Sequence, residues 1–442
     1  MNRLLIAGTN SGCGKTTVTC ALLAAFKARG QSLTAFKCGP DYIDPMFHRA
    51  VSGIEAFNID PFFLDGNSLR AHLAANAGEL SVIEGAMGYY DGIAATDEAS
   101  AYTVARETKT PVVLVVSARG VGHSLAALLE GFAHHRPDSH IGGVIFNDAS
   151  PSRYQDLERI AGAAGLRAYG FLPRNEEWEL PGRHLGLMTA DEISDLQARL
   201  TKLRQQAELS LDISGLFALA STAEELHTAP MPKRNHTSGV RLAVARDEAF
   251  CFMYEENLQL LKTLGCEPLF FSPIRDRAMP ENISGLYLCG GYPELHTVAL
   301  SKNTSMLKSV QAAVTRGLPT IAECGGFMYL HEAIDGSAPM CAVIRGTAFE
   351  TERLQRFGYY TLVAGRDNML CKAGESIRAH EFHYWDSSSP GETFTAQKAG
   401  RDTEHRCIHA TESLYAGFPH MYFPANPAFA ESFVERMTLY EG

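Results

Sequence analysis

The sequence predicts an α/β protein built as two doubly wound α/β domains in series. Three observations predict it. Short apolar or β-branched runs alternate with stretches that repeat apolar residues at helical spacing. A glycine-rich loop joins the first such run to the first helical stretch. A Thr-, Pro-, Lys- and His-rich segment at 222–238 then interrupts the alternation, which begins again at Val240.

Leu4-Leu5-Ile6-Ala7 reads as the first strand. Thr16 to Arg29 carries Val18, Leu22, Leu23 and Phe26 at helical spacing and stops at Gly30. Ser32 to Phe36, Leu80 to Ile83, Pro111 to Val116 and Gly143 to Phe146 read as further buried strands. Ser68 to Asn76, Leu125 to His134 and Tyr154 to Ala164 supply helical crossovers. Asp195 to Glu208 reads as a polar helix. In the second series, Leu242–Ala245, Glu267–Phe271, Gly285–Leu288 and Pro319–Ala322 are strands, with helices over Tyr254–Leu264 and Ser305–Arg316. The expected layout is a first domain at 1–195, a connecting segment at 196–238 and a second domain at 239–442.

A length of 442 residues gives two or three domains at roughly 150 residues each. The net charge of −11 argues against a nucleic-acid partner, which needs a basic footprint. No apolar run reaches the ~18 residues of a membrane span, so a cytoplasmic protein is expected. The ten cysteines contain no CxxC pair and fit buried thiols in a reducing compartment.

The loop Gly8-Thr9-Asn10-Ser11-Gly12-Cys13-Gly14-Lys15-Thr16-Thr17 lies between strand and helix, the context a phosphate-binding loop demands. Gly12 and Gly14 permit close backbone approach, and Lys15 brings a charge to the phosphates. Thr16 offers a hydroxyl to Mg²⁺, and Thr17 extends the same cradle. Its departure is Thr9 where the usual spacing has glycine, with Gly8 one residue earlier. Glu84 ends a strand and Asp41 follows one, so both are candidate Mg²⁺ ligands at the crevice of an open sheet. Asp44 and Asp60 fit solvated loop carboxylates better. Asn147 ends another strand, where its amide reads an adenine edge or caps the next segment.

In Pro319-Thr320-Ile321-Ala322-Glu323-Cys324-Gly325-Gly326 an apolar strand turns sharply at a cysteine. That arrangement parallels the nucleophile elbow of hydrolases, and a helix N-terminus beyond it is expected to lower the thiol pKa. A histidine must serve as base. His296, His331, His380, His383 and His420 are available, and His420 stands at a strand end near the C-terminus. Gly290 and Gly291 after a strand are candidates for the oxyanion hole.

The loop variant resembles that of dethiobiotin synthetase and its relatives. Over nearly its whole length the chain resembles the cobyrinate a,c-diamide synthase family. The matching stretches include GTNSGCGKTT at 8–17, KCGPDYIDPMFH at 37–48, NIDPFF at 58–63 and EGAMGYYDG at 84–92. Others are RHLGL at 183–187, ARDEAFCFMYEENL at 245–258, CGGYPELH at 289–296, AECGGFMYL at 322–330, HEFHYW at 380–385 and HMYFPANP at 420–427. The resemblance implies a P-loop ATPase joined to a class I, triad-type glutamine amidotransferase. It implies hydrolysis of L-glutamine at Cys324 and His420, with ammonia passed to an acetate of a cobyrinate-like tetrapyrrole that ATP and Mg²⁺ have activated as an acyl phosphate. Ni-sirohydrochlorin and hydrogenobyrinate are alternative macrocycles, and a homodimer is left open. Classical members of the wider amidotransferase class place a glutamate two residues beyond the histidine. Here Tyr422 occupies that position. A scaffold with two dead sites is opposed by intact Lys15, Thr16, Glu84 and Cys324. A stand-alone ParA-like ATPase leaves the cysteine half unexplained.

Overall fold

Buried at every position, the run Leu80–Glu84 suits a parallel sheet covered by helices on both faces. The computed structural model describes all residues except 181, 184, 185, 188, 230–238, 441 and 442, and all side chains of those except 52, 182, 183, 186, 187 and 191. The chain divides into two compact units, Met1–Met231 and Pro232–Gly442.

The first unit alternates β1 (Asn2–Gly8), α1 (Lys15–Ala28), β2 (Leu33–Cys38), α2 (Ile43–Ser52), β3 (Ala56–Ile59), α3 (Gly66–Asn76) and β4 (Leu80–Glu84). It continues with α4 (Ala101–Thr108), β5 (Val112–Ser117), α5 (Leu125–His134), β6 (Ile141–Asn147), α6 (Pro151–Ala163) and β7 (Arg167–Leu172). The seven strands run in the order β3-β2-β4-β1-β5-β6-β7, every neighbouring pair parallel. Local chemistry starts the crossovers. The Asp65 carboxylate accepts from the Ser68 amide at 2.7 Å to cap α3, and Pro151 opens α6 with its φ already helical.

Two short antiparallel strands, β8 (Gly182–Arg183) and β9 (Gly186–Leu187), precede α7 (Leu196–Ser210) and α8 (Ile213–Ala220). The RHLGL stretch spans two positions outside the described residues, and most of the 222–238 segment lies outside them too. The helices α7 and α8 differ from the connecting segment expected from residue 196. Leu196, Leu200, Leu203 and Ala207 make one apolar stripe that joins Leu22 and Phe26 in the first unit's core. Ile213 and Leu216 are buried there as well.

The second unit opens with β10 (Val240–Ala245), α9 (Glu255–Thr263), β11 (Cys266–Phe271), β12 (Gly285–Leu288), α10 (Thr297–Lys302), α11 (Thr304–Thr315), β13 (Thr320–Glu323) and α12 (Gly325–Tyr329). Short strands follow: β14 (His331–Ile334), β15 (Ala338–Pro339), β16 (Ile344–Glu350), β17 (Arg356–Ala364), β18 (Ser376–His383), β19 (Trp385–Ser387), β20 (Phe394–Lys398), β21 (Glu404–Cys407) and β22 (His409–Ala410). The unit closes with β23 (Leu414–Gly417), β24 (His420–Met421) and α13 (Pro427–Thr438). Its main sheet has the order β11-β10-β12-β13-β23-β22, parallel but for the last pair. Two further sheets, β15-β14-β16-β19 and the antiparallel β21-β20-β17-β18-β24, are not among those the sequence predicts. Among the described residues no helix is long and apolar enough to cross a membrane.

Candidate active sites

In the first unit the glycine-rich loop turns from β1 into α1. Gly12 and Gly14 take φ of 77° and 99°, left-handed values that strain any residue with a Cβ. A Cβ on Gly14 would also lie 2.1 Å from the Asn147 amide nitrogen. Lys15 Nζ donates to the carbonyls of Asn10 at 3.1 Å and Met87 at 2.6 Å, so it bridges this loop and the chain leaving β4. Burial lowers its pKa.

Below the loop, the Thr16 hydroxyl donates to Glu84 Oε1 at 2.7 Å and lies 3.4 Å from Asp44 Oδ1. Glu84 is fully buried and its other oxygen meets His48 Nε2 at 2.7 Å. Parallel pairing of β2 with β4 sets Lys37 opposite Glu84, and Lys37 Nζ reaches Glu84 at 2.9 Å and Asp44 at 2.6 Å. Burial alone would raise the Glu84 pKa. Lys37, His48 and Thr16 outweigh it and hold the carboxyl well below the usual range. Asp44 goes the other way, raised by burial and by the charges of Asp41 and Glu84.

Two carboxylates depart from expectation here. Asp44 is buried in the cluster, not solvated, and Asp60 is buried as well. Asp41 directs Oδ1 to the amides of Ile43 and Asp44 at 2.9 and 3.0 Å, a cap on the start of α2. The carboxylate beside Thr16 and Glu84 is therefore that of Asp44. Sequence reasoning missed Lys37 and His48. The KCGPDYIDPMFH stretch held both, but their partner lies 47 and 36 residues away.

Asn147 donates to the Cys13 carbonyl at 3.1 Å, which ties β6 to the loop. It also lines an open cavity of about 260 Å³ with Gly12, Thr17, Arg119, Pro173 and Trp178. Arg119, Pro173 and Trp178 carry no motif that would have singled them out.

In the second unit Cys324 follows β13 with φ 48° and ψ −104°, a backbone that few non-glycine residues adopt. Its amide donates to the Gly417 carbonyl at 2.8 Å, anchoring the turn to β23. A Cβ on Gly326 would strike the Leu288 carbonyl at 2.1 Å, and one on Gly325 would lie 3.0 Å from the Gly291 nitrogen. The two glycines after the cysteine thus let the turn press against the end of β12. At Gly290 a Cβ would sit 2.4 Å from His420 Cε1. The imidazole therefore rests against Gly290, and Gly325, the residue after Cys324, packs on Gly291, so both side chains stand at the same end of β12.

The expected oxyanion donors divide. Gly290 N–H already donates to the Phe252 carbonyl at 3.2 Å, whereas the Gly291 nitrogen faces the elbow. The thiol also departs from expectation. Burial raises its pKa above the ordinary value, aided by the charge of Glu294, and these outweigh the Gly325 amide at the start of a five-residue helix. His420 is shifted down to about 3, first by burial and then by His380 and His383. At rest the thiol and the imidazole are both neutral.

The other histidines have their own places. His331 engages the Phe327 carbonyl at 2.9 Å and the Ser387 hydroxyl at 2.7 Å. His380 lies opposite His420 in the β18–β24 pair. His383 stacks on Phe418 with ring centres 4.0 Å apart. Tyr422 is buried with its ring edge-on to Tyr254.

A family profile described as a CobQ/CobB/MinD/ParA nucleotide binding domain matches residues 4–187, and a CobB/CobQ-like glutamine amidotransferase domain matches 241–428. A protein of Listeria innocua named cobyrinate a,c-diamide synthase is 37% identical over 97% of this chain and 98% of its own length. The chain belongs to the cobyrinate a,c-diamide synthase family. Family members so named from Clostridium acetobutylicum and Thermoplasma volcanium are 37% and 35% identical, over 98% and 99% of this chain and 100% and 98% of their own lengths. Among solved structures, that of PurLQS from Thermotoga maritima covers 46% of this chain and 98% of its own at 15% identity and a TM-score of 0.33, too slight a likeness to carry an argument. The P-loop of this synthase family lies in the first matched region, and Cys324 and His420 lie in the second.

Proposed function

We propose that this chain is an ATP- and glutamine-dependent amide ligase that converts the a and c acetate groups of cobyrinate to amides. The observation that carries this reading is one chain with a phosphate loop in one unit and a Cys324–His420 elbow in the other, matched end to end by relatives of that name.

In the second unit, neutral His420 takes the Cys324 proton as sulfur attacks the carboxamide carbon of glutamine. The Gly291 and Gly325 amides face the developing oxyanion. Collapse breaks the C–N bond, and the imidazolium returns its proton to the departing nitrogen. Water then cleaves the thioester, leaving glutamate and a free thiol.

In the first unit, a carboxylate oxygen of the macrocycle attacks the γ-phosphorus of ATP and ADP departs. Ammonia adds to the acyl carbon, phosphate leaves, and an amide remains. Lys15 offsets charge on the phosphates, and the cavity at Asn147 and Thr17 takes the base and ribose. The Thr16 hydroxyl with the Glu84 and Asp44 carboxylates is a hard-oxygen set that fits Mg²⁺, with Asp41 at its edge. Bound there, Mg²⁺ supplies charge neutralisation for the phosphoryl group. The ten cysteines are all free thiols, which supports a reducing, cytoplasmic setting.

The test offers purified protein, ATP, Mg²⁺ and glutamine to cobyrinate, hydrogenobyrinate and Ni-sirohydrochlorin separately, with mass spectrometry as readout. Two carboxyl-to-amide conversions on cobyrinate are expected. Conversion of another macrocycle alone reassigns the substrate. Light scattering of the same sample tests a homodimer.

A further inference from the structure

His420 sits on a two-residue strand, a weak support for a base that must hold its ring in place. Buried Tyr422 occupies the position, two residues beyond the histidine, where classical members of the wider amidotransferase class carry a glutamate. Something else must fix this segment.

The backbone of Met421, the next residue, is gripped on both sides. Its N–H donates to Glu323 Oε1 at 2.9 Å. Its carbonyl accepts from Asn257 Nδ2 at 2.9 Å. The same Asn257 side chain accepts from the Phe423 amide at 2.8 Å, so one carboxamide clasps two peptide groups. Tyr287 links the two clamps, donating its hydroxyl to Glu323 Oε2 at 2.8 Å and lying 3.5 Å from Asn257 Nδ2. Asn257 and Tyr287 are fully buried and Glu323 is 2% exposed.

Glu323 immediately precedes Cys324, and its carboxyl reaches the residue immediately after His420. A buried carboxyl held by a tyrosine hydroxyl and a backbone amide, and not by a cation, is a costly way to fill space. Burial pushes it up to about 7. A side chain chosen for packing alone would be apolar. The oxygen pair instead joins nucleophile strand, base strand and the β12 strand that leads to Gly290.

We propose that Glu323, with Asn257 and Tyr287, is the positioning residue of the glutaminase site: it holds the His420 imidazole against Gly290 through the Met421 backbone. The orienting carboxyl thus stands before the cysteine, not two residues beyond the histidine. This inference rests on the reading of Cys324 and His420 as the glutaminase pair.

The test compares Glu323→Gln, Glu323→Ala and Tyr287→Phe in the full chain. It measures glutamine hydrolysis, ammonia-supported amidation and alkylation of Cys324 by a diazoketone analogue of glutamine. Glu323→Ala is expected to lower the glutaminase kcat about 10- to 100-fold with KM little changed, since a displaced base costs rate more than binding. Alkylation should slow in step. Glu323→Gln keeps an acceptor for the Met421 amide and should restore most of the rate. Tyr287→Phe should lose less than Glu323→Ala, and its small change keeps the test usable if the alanine variant fails to fold. Ammonia-supported amidation should stay at the parent level throughout. Unchanged kcat in Glu323→Ala and Tyr287→Phe, or a loss confined to KM, overturns the proposal. Glutamine hydrolysis that survives Cys324→Ala overturns the underlying reading instead.

Discussion

Thr16 Oγ1 and Glu84 Oε1 meet at 2.7 Å although 68 positions separate them. Parallel pairing of β1 with β4 sets Ile6 opposite Glu84, which brings the strand end carrying the carboxylate beside the start of α1. The crevice at the C-terminal ends of these strands is where open α/β sheets bind ligands. The Lys37 ammonium shares the same carboxylate at 2.9 Å, so charge in this pocket is balanced by design of register, not by solvent.

Glu84→Gln tests that balance. The substitution keeps the shape but leaves Lys37 with Asp44 as its remaining buried carboxylate partner. ATP-dependent amidation is expected to fall at least 100-fold with either nitrogen donor, while glutamine hydrolysis continues. Breaking a buried pair should also cost the first unit about 3 kcal/mol. Amidation assays and thermal unfolding check the two outcomes. Full activity with ammonia would remove Glu84 from phosphoryl transfer.

Cys324→Ala and Lys15→Ala separate the two chemistries. The cysteine variant should lose glutamine-supported amidation and keep ammonia-supported amidation. The lysine variant should lose both, because it acts on ATP. Parallel assays with glutamine and with ammonium salt decide. Equal loss of both donors in Cys324→Ala contradicts the division of labour.

Gly14→Ala should weaken nucleotide binding at least tenfold. A methyl group there meets the Asn147 amide at 2.1 Å and must hold φ near 99°. Displacing Asn147 would also disturb the cavity that it lines. Calorimetric titration with ATP measures the change. The same substitution at Gly131, where a Cβ meets nothing within 4 Å, should leave affinity at the parent value.

Much of this is legible in the sequence. Fully buried strands such as Val112–Ser117 read directly as apolar runs, and the loop at 8–17 carried its chemistry in its glycines and lysine. The cysteine elbow was legible because Gly325 and Gly326 are needed for the close packing that the structure shows. The strands between 331 and 410 were not. Their burial patterns, as in Ser376–His383, mix exposed and buried positions without a clean alternation, and several are two to four residues long. Asp44, not Asp41, lies beside Thr16 because helix capping, a matter of local backbone geometry, turned the Asp41 carboxylate to the start of α2. The Cys324 thiol was expected to be acidic from its place before a helix, yet the surrounding core sets its burial, and tertiary packing is not written in local sequence.

The buried histidines give a pH dependence with a definite sign. Burial leads in holding His331 and His380 near 4 and His420 near 3, against roughly 6.5 for an unfolded chain. Between about pH 4 and 6.5 the unfolded state therefore binds protons that the folded state refuses, so stability rises with pH there and is fully present above about 6.5. Glu323, raised to about 7, opposes this by taking up a proton in the folded state between about 4.5 and 7. Three histidines against one carboxyl leave the histidine sign dominant. Trp385 lies in the second unit and Trp178 in the first, so a Trp178→Phe background isolates the second unit's fluorescence. Urea unfolding followed through Trp385 should show its midpoint rising from pH 5 to pH 6.5. His331→Gln, which can still donate to the Phe327 carbonyl, should shrink that rise by removing one of the three refused protons. A midpoint that is flat or falls over this interval would mean that these imidazoles accept protons without unfolding, and that His420 does not rest as the neutral base that thiol activation requires.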